Sequence, residues 1–158
     1  MLIFRYEMWD HTNMTGKQKG DHMNQSMIAQ NIRANGLRAT AQRILIYQYL
    51  FEHRTHPDAE EVYRAMCADG QKMTLATVYN VLQAFVEHGL AIIVRADEER
   101  VRFDATTTLH GHFICSRCKR IYDFPITQLQ TEKLDDFSVN WKDICFGGIC
   151  KQCRENAE

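Results

Sequence analysis

The chain has 158 residues and a mass of 18.5 kDa, room for one ordinary domain or two small ones. With 45% hydrophobic residues, 25% charged residues, no apolar run long enough to span a bilayer and no secretory signal, it reads as a soluble globular protein of the cytoplasm. A formal net charge of −1 gives no overall attraction to nucleic acid, so any DNA contact depends on where the charges lie.

Residues 1–22 mix apolar, polar and flexible side chains without sustained periodicity; they are expected to be a disordered or artefactual extension, with Met23 a candidate natural start. From Asn24 the apolar spacing turns helical. Met27, Ile28 and Ile32 share a face, and Gly36 stops the helix. Thr40 is placed to cap a second helix with Ile44, Leu45, Tyr47 and Leu50 as its core stripe. Asp58 and Glu61 form a capping-box pattern that opens a third helix, with Val62, Tyr63 and Met66 inward; His56 falls on the preceding loop, fixed by Pro57. Thr74 caps the best-delimited helix, which buries Leu75, Val78, Leu82, Phe85 and Val86 and ends at Gly89. Its outer face shows Ala76, Thr77, Tyr79, Asn80 and Gln83, small and polar groups able to hydrogen-bond to base edges or phosphates. Leu90 to Ala96 and Arg100 to Ala105 read as two strands joined by the acidic tip Asp97-Glu98-Glu99. The last three of these four helices followed by a β-hairpin are in the order of a winged helix-turn-helix, assigned to residues 23–105.

The pattern changes beyond a boundary near Thr106-Thr-Thr-Leu109. His112-Phe-Ile and Ile121-Tyr-Asp-Phe read as strands flanking a Cys-x2-Cys knuckle, Pro125 to Phe137 holds a short helix around Leu129 and Leu134, and Trp141 to Ile149 forms another strand before a second knuckle. Residues 106–158 are too few for a large core, so zinc and a partner subunit are expected to help hold them. The expected fold class is α+β: an N-terminal winged helix-turn-helix domain followed by a small, metal-binding α/β dimerisation domain with a four-cysteine zinc site.

Two kinds of metal ligand crowd the segment from Asp104 to Asp123 and its surroundings. Cys115 and Cys118 form one soft half-site and Cys150 and Cys153, again two residues apart, the other; together they close a tetrahedral zinc with no open position, a structural role. A pair of disulfides is the competing reading of this spacing, disfavoured without a secretory signal. Cys67 and Cys145 are left over and are read as packed thiols. His110 and His112 sit two apart, so on a strand both imidazoles point to one face. With Asp104 and Asp123 they make a hard nitrogen and oxygen set suited to iron, manganese or zinc, and His56 is a candidate to join them. A single histidine or aspartate at such positions is ordinarily a surface group or a cap; the histidine pair is what asks for another reason. His11, His22, His53 and His88 carry no such signal.

Seven pieces of the chain carry a resemblance to a known family: Gly36-Leu-Arg-Ala-Thr-Ala-Gln-Arg43, His56-Pro-Asp-Ala-Glu-Glu-Val-Tyr63, Thr74-Leu-Ala-Thr-Val-Tyr-Asn80, Arg102-Phe-Asp104, His110-x-His112-Phe-Ile-Cys115-x2-Cys118, Ile121-Tyr-Asp-Phe124 and Gly148-Ile-Cys150-x2-Cys153. In order and spacing the chain resembles, over about residues 24–155, the ferric-uptake-regulator (Fur) family of metal-dependent repressors, and within it the peroxide-sensing (PerR) branch. The resemblance implies a regulatory Fe(II) or Mn(II) held by His56, Asp104, His110, His112 and Asp123, ligands from both domains that meet only when the domains close. It also implies a homodimer set on a palindromic operator in double-stranded DNA. DNA contacts are expected from Arg38, Thr77, Tyr79 and Asn80. Asp123 points to the peroxide branch, since uptake regulators typically have glutamate there; so do the absence of an extra histidine beside the His110-Gly-His112 pair and the presence of Asn80 where uptake regulators commonly have arginine. In that branch iron-catalysed oxidation of a ligand histidine, here His56 or His110, opens the clamp. The chain departs from relatives in its N-terminal extension, in Cys145, and in Gly111, whose small size is expected to loosen the loop between the histidines.

The expected function is thus a metal-dependent repressor of peroxide-stress genes, not an enzyme. The nearest alternative is an iron, manganese or zinc uptake regulator without peroxide sensing. Two other classes fit some of the same residues. A non-haem iron oxygenase could use two histidines and a carboxylate, but five protein ligands leave at most one position for oxygen and substrate. A redox-switched zinc protein would sense oxidant through its cysteines instead.

Overall fold

The computed structural model describes residues 23–95, 100–128, 137–139 and 141–156. In chain order these form α1 (Gln25–Ala34), α2 (Ala41–Glu52), α3 (Ala59–Ala68), α4 (Leu75–Glu87), β1 (Ile92–Val94), β2 (Arg102–Asp104), β3 (His110–Cys115), β4 (Ile121–Pro125), β5 (Cys145–Gly148) and α5 (Lys151–Glu155). The extension, the acidic tip Asp97-Glu98-Glu99 and the short helix expected around Leu129 and Leu134 lie outside the described residues.

The helix starts follow the side chains that can satisfy free N–H groups. Thr40 accepts from the N–H of Arg43 and Thr74 from that of Thr77. Asp58 accepts from the Glu61 N–H at 2.7 Å while Glu61 accepts from the Asp58 N–H at 2.9 Å, a complete capping box. Gly89, at φ +68°, lets the chain leave α4 in the left-handed conformation that a side chain resists.

The four long helices close around Ile28, Ile32, Ile46, Leu50, Val62, Met66, Val78, Leu82 and Phe85, with Tyr47 edge-on to Phe85 at 5.5 Å between ring centroids. Two details differ from expectation. Met27 is 56% exposed, because the inward stripe of α1 is Ile28, Ala29 and Ile32, and residue 27 stands about 100° from Ile28 around the helix. Ile46 and Val81 are buried members that the sequence pattern did not single out.

β1 and β2 form the antiparallel wing, shorter than the expected strands, with Ile92 opposite Asp104. The second sheet has the order β4-β3-β5, β4 antiparallel and β5 parallel to the central β3. Of the strand expected over residues 141–149, only Cys145–Gly148 pairs; α5 follows it unforeseen, a helix of 5 residues that starts between Cys150 and Cys153. Two registers position the chemistry. His112 lies opposite Asp123 on β4 and opposite Cys145 on β5, and Gly111 lies opposite Phe124.

Candidate metal centres

The five candidate hard ligands converge from both halves of the chain. His56 lies on the loop before α3, Asp104 ends β2, His110 and His112 share one face of β3, and Asp123 is the cross-strand neighbour of His112. One ligand atom from each lies within 4.8 Å of all the others. His110 Nε2 is 3.0 Å from Asp104 Oδ2 and 3.0 Å from His112 Nε2, and His56 Nε2 is 2.8 Å from Asp123 Oδ1. His56, Asp104 and His112 are buried, while Asp123 forms the exposed rim.

Local structure aims these groups. The Phe103 N–H donates to the Pro57 carbonyl at 3.0 Å, tying the His56 loop to the wing. Arg102 reinforces the tie by donating to Glu61 at 2.8 Å and to the His56 carbonyl at 3.3 Å. His56 itself sits at φ +52°, a left-handed conformation costly for a residue with a Cβ, of the kind that clusters at functional sites. The Thr108 carbonyl accepts from His110 Nδ1 at 2.7 Å, which leaves Nε2 as the free lone pair facing the cluster.

Several buried atoms here have no hydrogen-bond partner: both ring nitrogens of His56, Asp104 Oδ2 and His112 Nδ1. Such atoms are expensive to bury. His56 Nε2 is near Asp123 yet not aligned with it, which fits lone pairs aimed at a shared centre. Burial alone would push the Asp104 carboxyl up, but the His110 and His112 rings facing its Oδ2, the Thr106 N–H that donates to its Oδ1 and the nearby His56 ring hold it well below the usual carboxylate range. His110 is raised, first by the Asp104 carboxylate beside it. Three imidazoles and two carboxylates fit a first-row divalent cation.

The soft set is equally compact. Cys115, Cys118, Cys150 and Cys153 place their sulfurs within 4.8 Å of one another. Cys115 Sγ accepts from the N–H groups of Cys118 at 3.5 Å and Cys150 at 3.3 Å, which lowers its thiol to about 6. The Cys153 thiol is pushed up to about 12, first by desolvation and then by its sulfur neighbours. Four thiolates cannot share this volume unless a cation neutralises them, so the donor set fits a closed structural metal. All six cysteines are free thiols.

Other expected positions fare differently. Arg38, Tyr79 and Asn80 are exposed, the last two on the outer face of α4, whereas Thr77 is half-buried and its hydroxyl is 2.9 Å from that of Thr74 at the helix cap. Cys67 and Cys145 are exposed, not packed. Gly111 does not loosen its segment: it is buried in β3 beneath the Phe124 ring, which an added Cβ would strike. Sequence reasoning missed Asp143, which together with Cys145 lies beside His112; parallel pairing of β5 on β3, invisible in a linear pattern, brings them there. It also passed over the link from Arg102 to Glu61.

The ferric uptake regulator family model matches residues 34–144. The chain belongs to the ferric uptake regulator family. It is 35% identical over 130 residues to the peroxide-responsive repressor PerR of Staphylococcus aureus, covering 79% of this chain and 88% of that protein. Among solved structures it resembles the Helicobacter pylori ferric uptake regulator, with a TM-score of 0.66, 19% identity and coverage of 84% of this chain and 95% of that one. It also resembles the Pseudomonas aeruginosa ferric uptake regulator with manganese, with a TM-score of 0.61, 25% identity and coverage of 77% and 96%. The architecture is accordingly the family's, a winged helix-turn-helix followed by a dimerisation domain. Among the described residues, no helix is long and apolar enough to cross a membrane.

Proposed function

We propose that this family member is a homodimeric, DNA-binding repressor whose metal clamp senses hydrogen peroxide. The observation that carries the reading is the largely buried cluster of His56, Asp104, His110, His112 and Asp123, with atoms drawn from both halves and with His56 Nε2 and Asp104 Oδ2 left without hydrogen-bond partners. Kinship with a peroxide-responsive repressor at 35% identity, together with aspartate at position 123, supports the sensing branch over a pure uptake regulator.

In this reading Cys115, Cys118, Cys150 and Cys153 hold zinc, and the five hard ligands hold Fe(II) or Mn(II). Bound Fe(II) supplies the one-electron chemistry that activates hydrogen peroxide. The protein does the rest. His56 and Asp104 on the winged half, and His110, His112 and Asp123 on the sheet half, fix one relative orientation of the two. That orientation presents α4, with Tyr79 and Asn80 outward, to a palindromic operator, and Arg38 adds an exposed cation; Thr77, engaged at the cap, contributes through its position at the helix start. Insertion of one oxygen atom of hydrogen peroxide into a ring C–H of His56 or His110, with cleavage of the O–O bond and loss of the other oxygen as water, would remove a ligand lone pair, loosen the clamp and release DNA.

Intact mass and peptide mapping of Fe(II)-loaded protein, before and after brief micromolar peroxide, test the sensing step against a Mn(II)-loaded control. One added oxygen on the His56 or His110 peptide is expected in the iron sample alone. Unmodified histidines would leave a reversible iron, manganese or zinc uptake regulator as the function.

A further inference from the structure

His112 is the most interior of the sheet ligands, 2% exposed, and its two nitrogens face different surroundings. Nε2 looks toward Asp104 and Asp123, at 3.8 Å and 3.7 Å. Nδ1 is buried without a hydrogen-bond partner, and 3.9 Å from it stands Asp143 Oδ1. A neutral imidazole whose Nε2 serves as an acceptor must carry its proton on Nδ1, and a buried N–H without an acceptor is costly. Among the described residues, only His112 of the three ligand histidines has a carboxylate within 4 Å of its Nδ1. His110 instead spends its Nδ1 on a neutral carbonyl, that of Thr108.

The Asp143 carboxylate is held in place. Cys145 Sγ donates to the same Oδ1 at 2.9 Å, the parallel register sets Cys145 beside His112, and the Ile144 carbonyl accepts from the His112 N–H at 2.9 Å. The gap of 3.9 Å exceeds a hydrogen bond by about one ångström, a movement within reach of a carboxylate or ring rotation.

We propose that Asp143 is a positioning residue of the regulatory metal site, accepting the Nδ1 proton of His112 and so fixing the tautomer and direction of Nε2, with Cys145 orienting the carboxylate. The proposal rests on the metal-clamp reading above. A charged acceptor behind a histidine ligand makes the imidazole a stronger donor, and loss of such a group typically costs 10–100-fold in metal affinity.

The test uses full-length, zinc-replete protein and Mn(II) as the probe, with free Mn(II) followed by electron paramagnetic resonance in wild type, Asp143→Asn and Asp143→Ala. Asp143→Ala is expected to weaken Mn(II) binding roughly 10–100-fold. Asp143→Asn, which keeps an acceptor without the charge, is expected to weaken it less. Circular dichroism and zinc content stay at wild-type values if folding is intact. Long-range proton–nitrogen NMR of the Zn(II)-saturated protein supplies a readout that simple structural damage does not move: the His112 Nδ1–H resonance shifts in Asp143→Asn while that of His110 stays. Wild-type affinity in both variants, with an unmoved His112 resonance, overturns the proposal and leaves the clamp intact. Absence of Mn(II) uptake by wild type removes the clamp and this proposal together. An additional bound metal equivalent that disappears in Cys145→Ala would mean that His112, Asp143 and Cys145 ligate rather than orient, which also overturns it.

Discussion

The two halves of the chain are held together by different forces. In the helical half, fully buried Ile28, Ile32, Ile46, Val62, Val78, Leu82 and Phe85 supply a conventional apolar core, each such side chain stabilising by about 1.5–3 kcal/mol. In the sheet half, the buried described residues are Gly111, His112, Cys115 and Cys150, while Phe137, Val139, Trp141, Phe146 and Ile149 stand exposed. The first half can fold on hydrophobic burial; the second has candidate metal ligands where a core would be and apolar surface that suits a second subunit. A stable reader and a metal-conditional sheet suit a regulator in which binding decides geometry.

The contrast can be broken at several points, the largest first. Cys118→Ser, or a strong chelator, is expected to cost several kcal/mol in the sheet half alone, since structural zinc can supply on the order of 10 kcal/mol of folding free energy. Limited proteolysis should then cut beyond residue 106 while the far-ultraviolet helical signal survives; simultaneous loss of both halves would show that they do not fold independently. In the opposite direction, Phe85→Ala removes a fully buried ring and is expected to destabilise the helical half by about 3–5 kcal/mol in denaturant titrations, with zinc retained. A third test probes the seam between the histidines. Gly111→Ala drives a Cβ into the Phe124 ring and should cost about 1–3 kcal/mol and loosen Mn(II) binding, with Phe124→Ala in the same chain restoring part of the loss. Additive losses in the double variant would mean that the ring contact is not what excludes the side chain. The smallest effect belongs to Asp58→Ala, which removes the α3 cap and a partner of Arg100 at 3.2 Å; about 0.5–2 kcal/mol is expected from thermal melts of the helical half.

Legibility in the sequence divides along the same line. Helix caps and stripes are local, so Thr40, Thr74 and the Asp58-Glu61 box could be placed from spacing alone, and the two Cys-x2-Cys pairs announced a four-thiol cluster. The His110-Gly-His112 pair was readable because a strand repeats every two residues. What stayed hidden depends on strands meeting across long stretches of chain. Nothing local says that β5 runs parallel to β3, so Asp143 could not be connected with His112, and Cys145 was read as a packed thiol when it is exposed. Gly111 was read as slack for a related reason: the Phe124 ring that covers it comes from the neighbouring strand. Met27 shows a smaller failure: the buried arc of α1 runs through Ile28, Ala29 and Ile32, and residue 27 falls on the opposite side of it.

The central claim is that ligands from the two halves form one clamp on which DNA binding depends. It is tested most directly by Mn(II) titration of binding to a duplex that the Mn(II)-loaded wild type selects from a randomised pool, comparing wild type with His56→Ala from the winged half and Asp123→Ala from the sheet half. Both variants are expected to keep their zinc and helicity yet lose Mn(II)-dependent binding by at least about tenfold. Wild-type Mn(II) dependence in either variant would contradict a clamp built across the two halves.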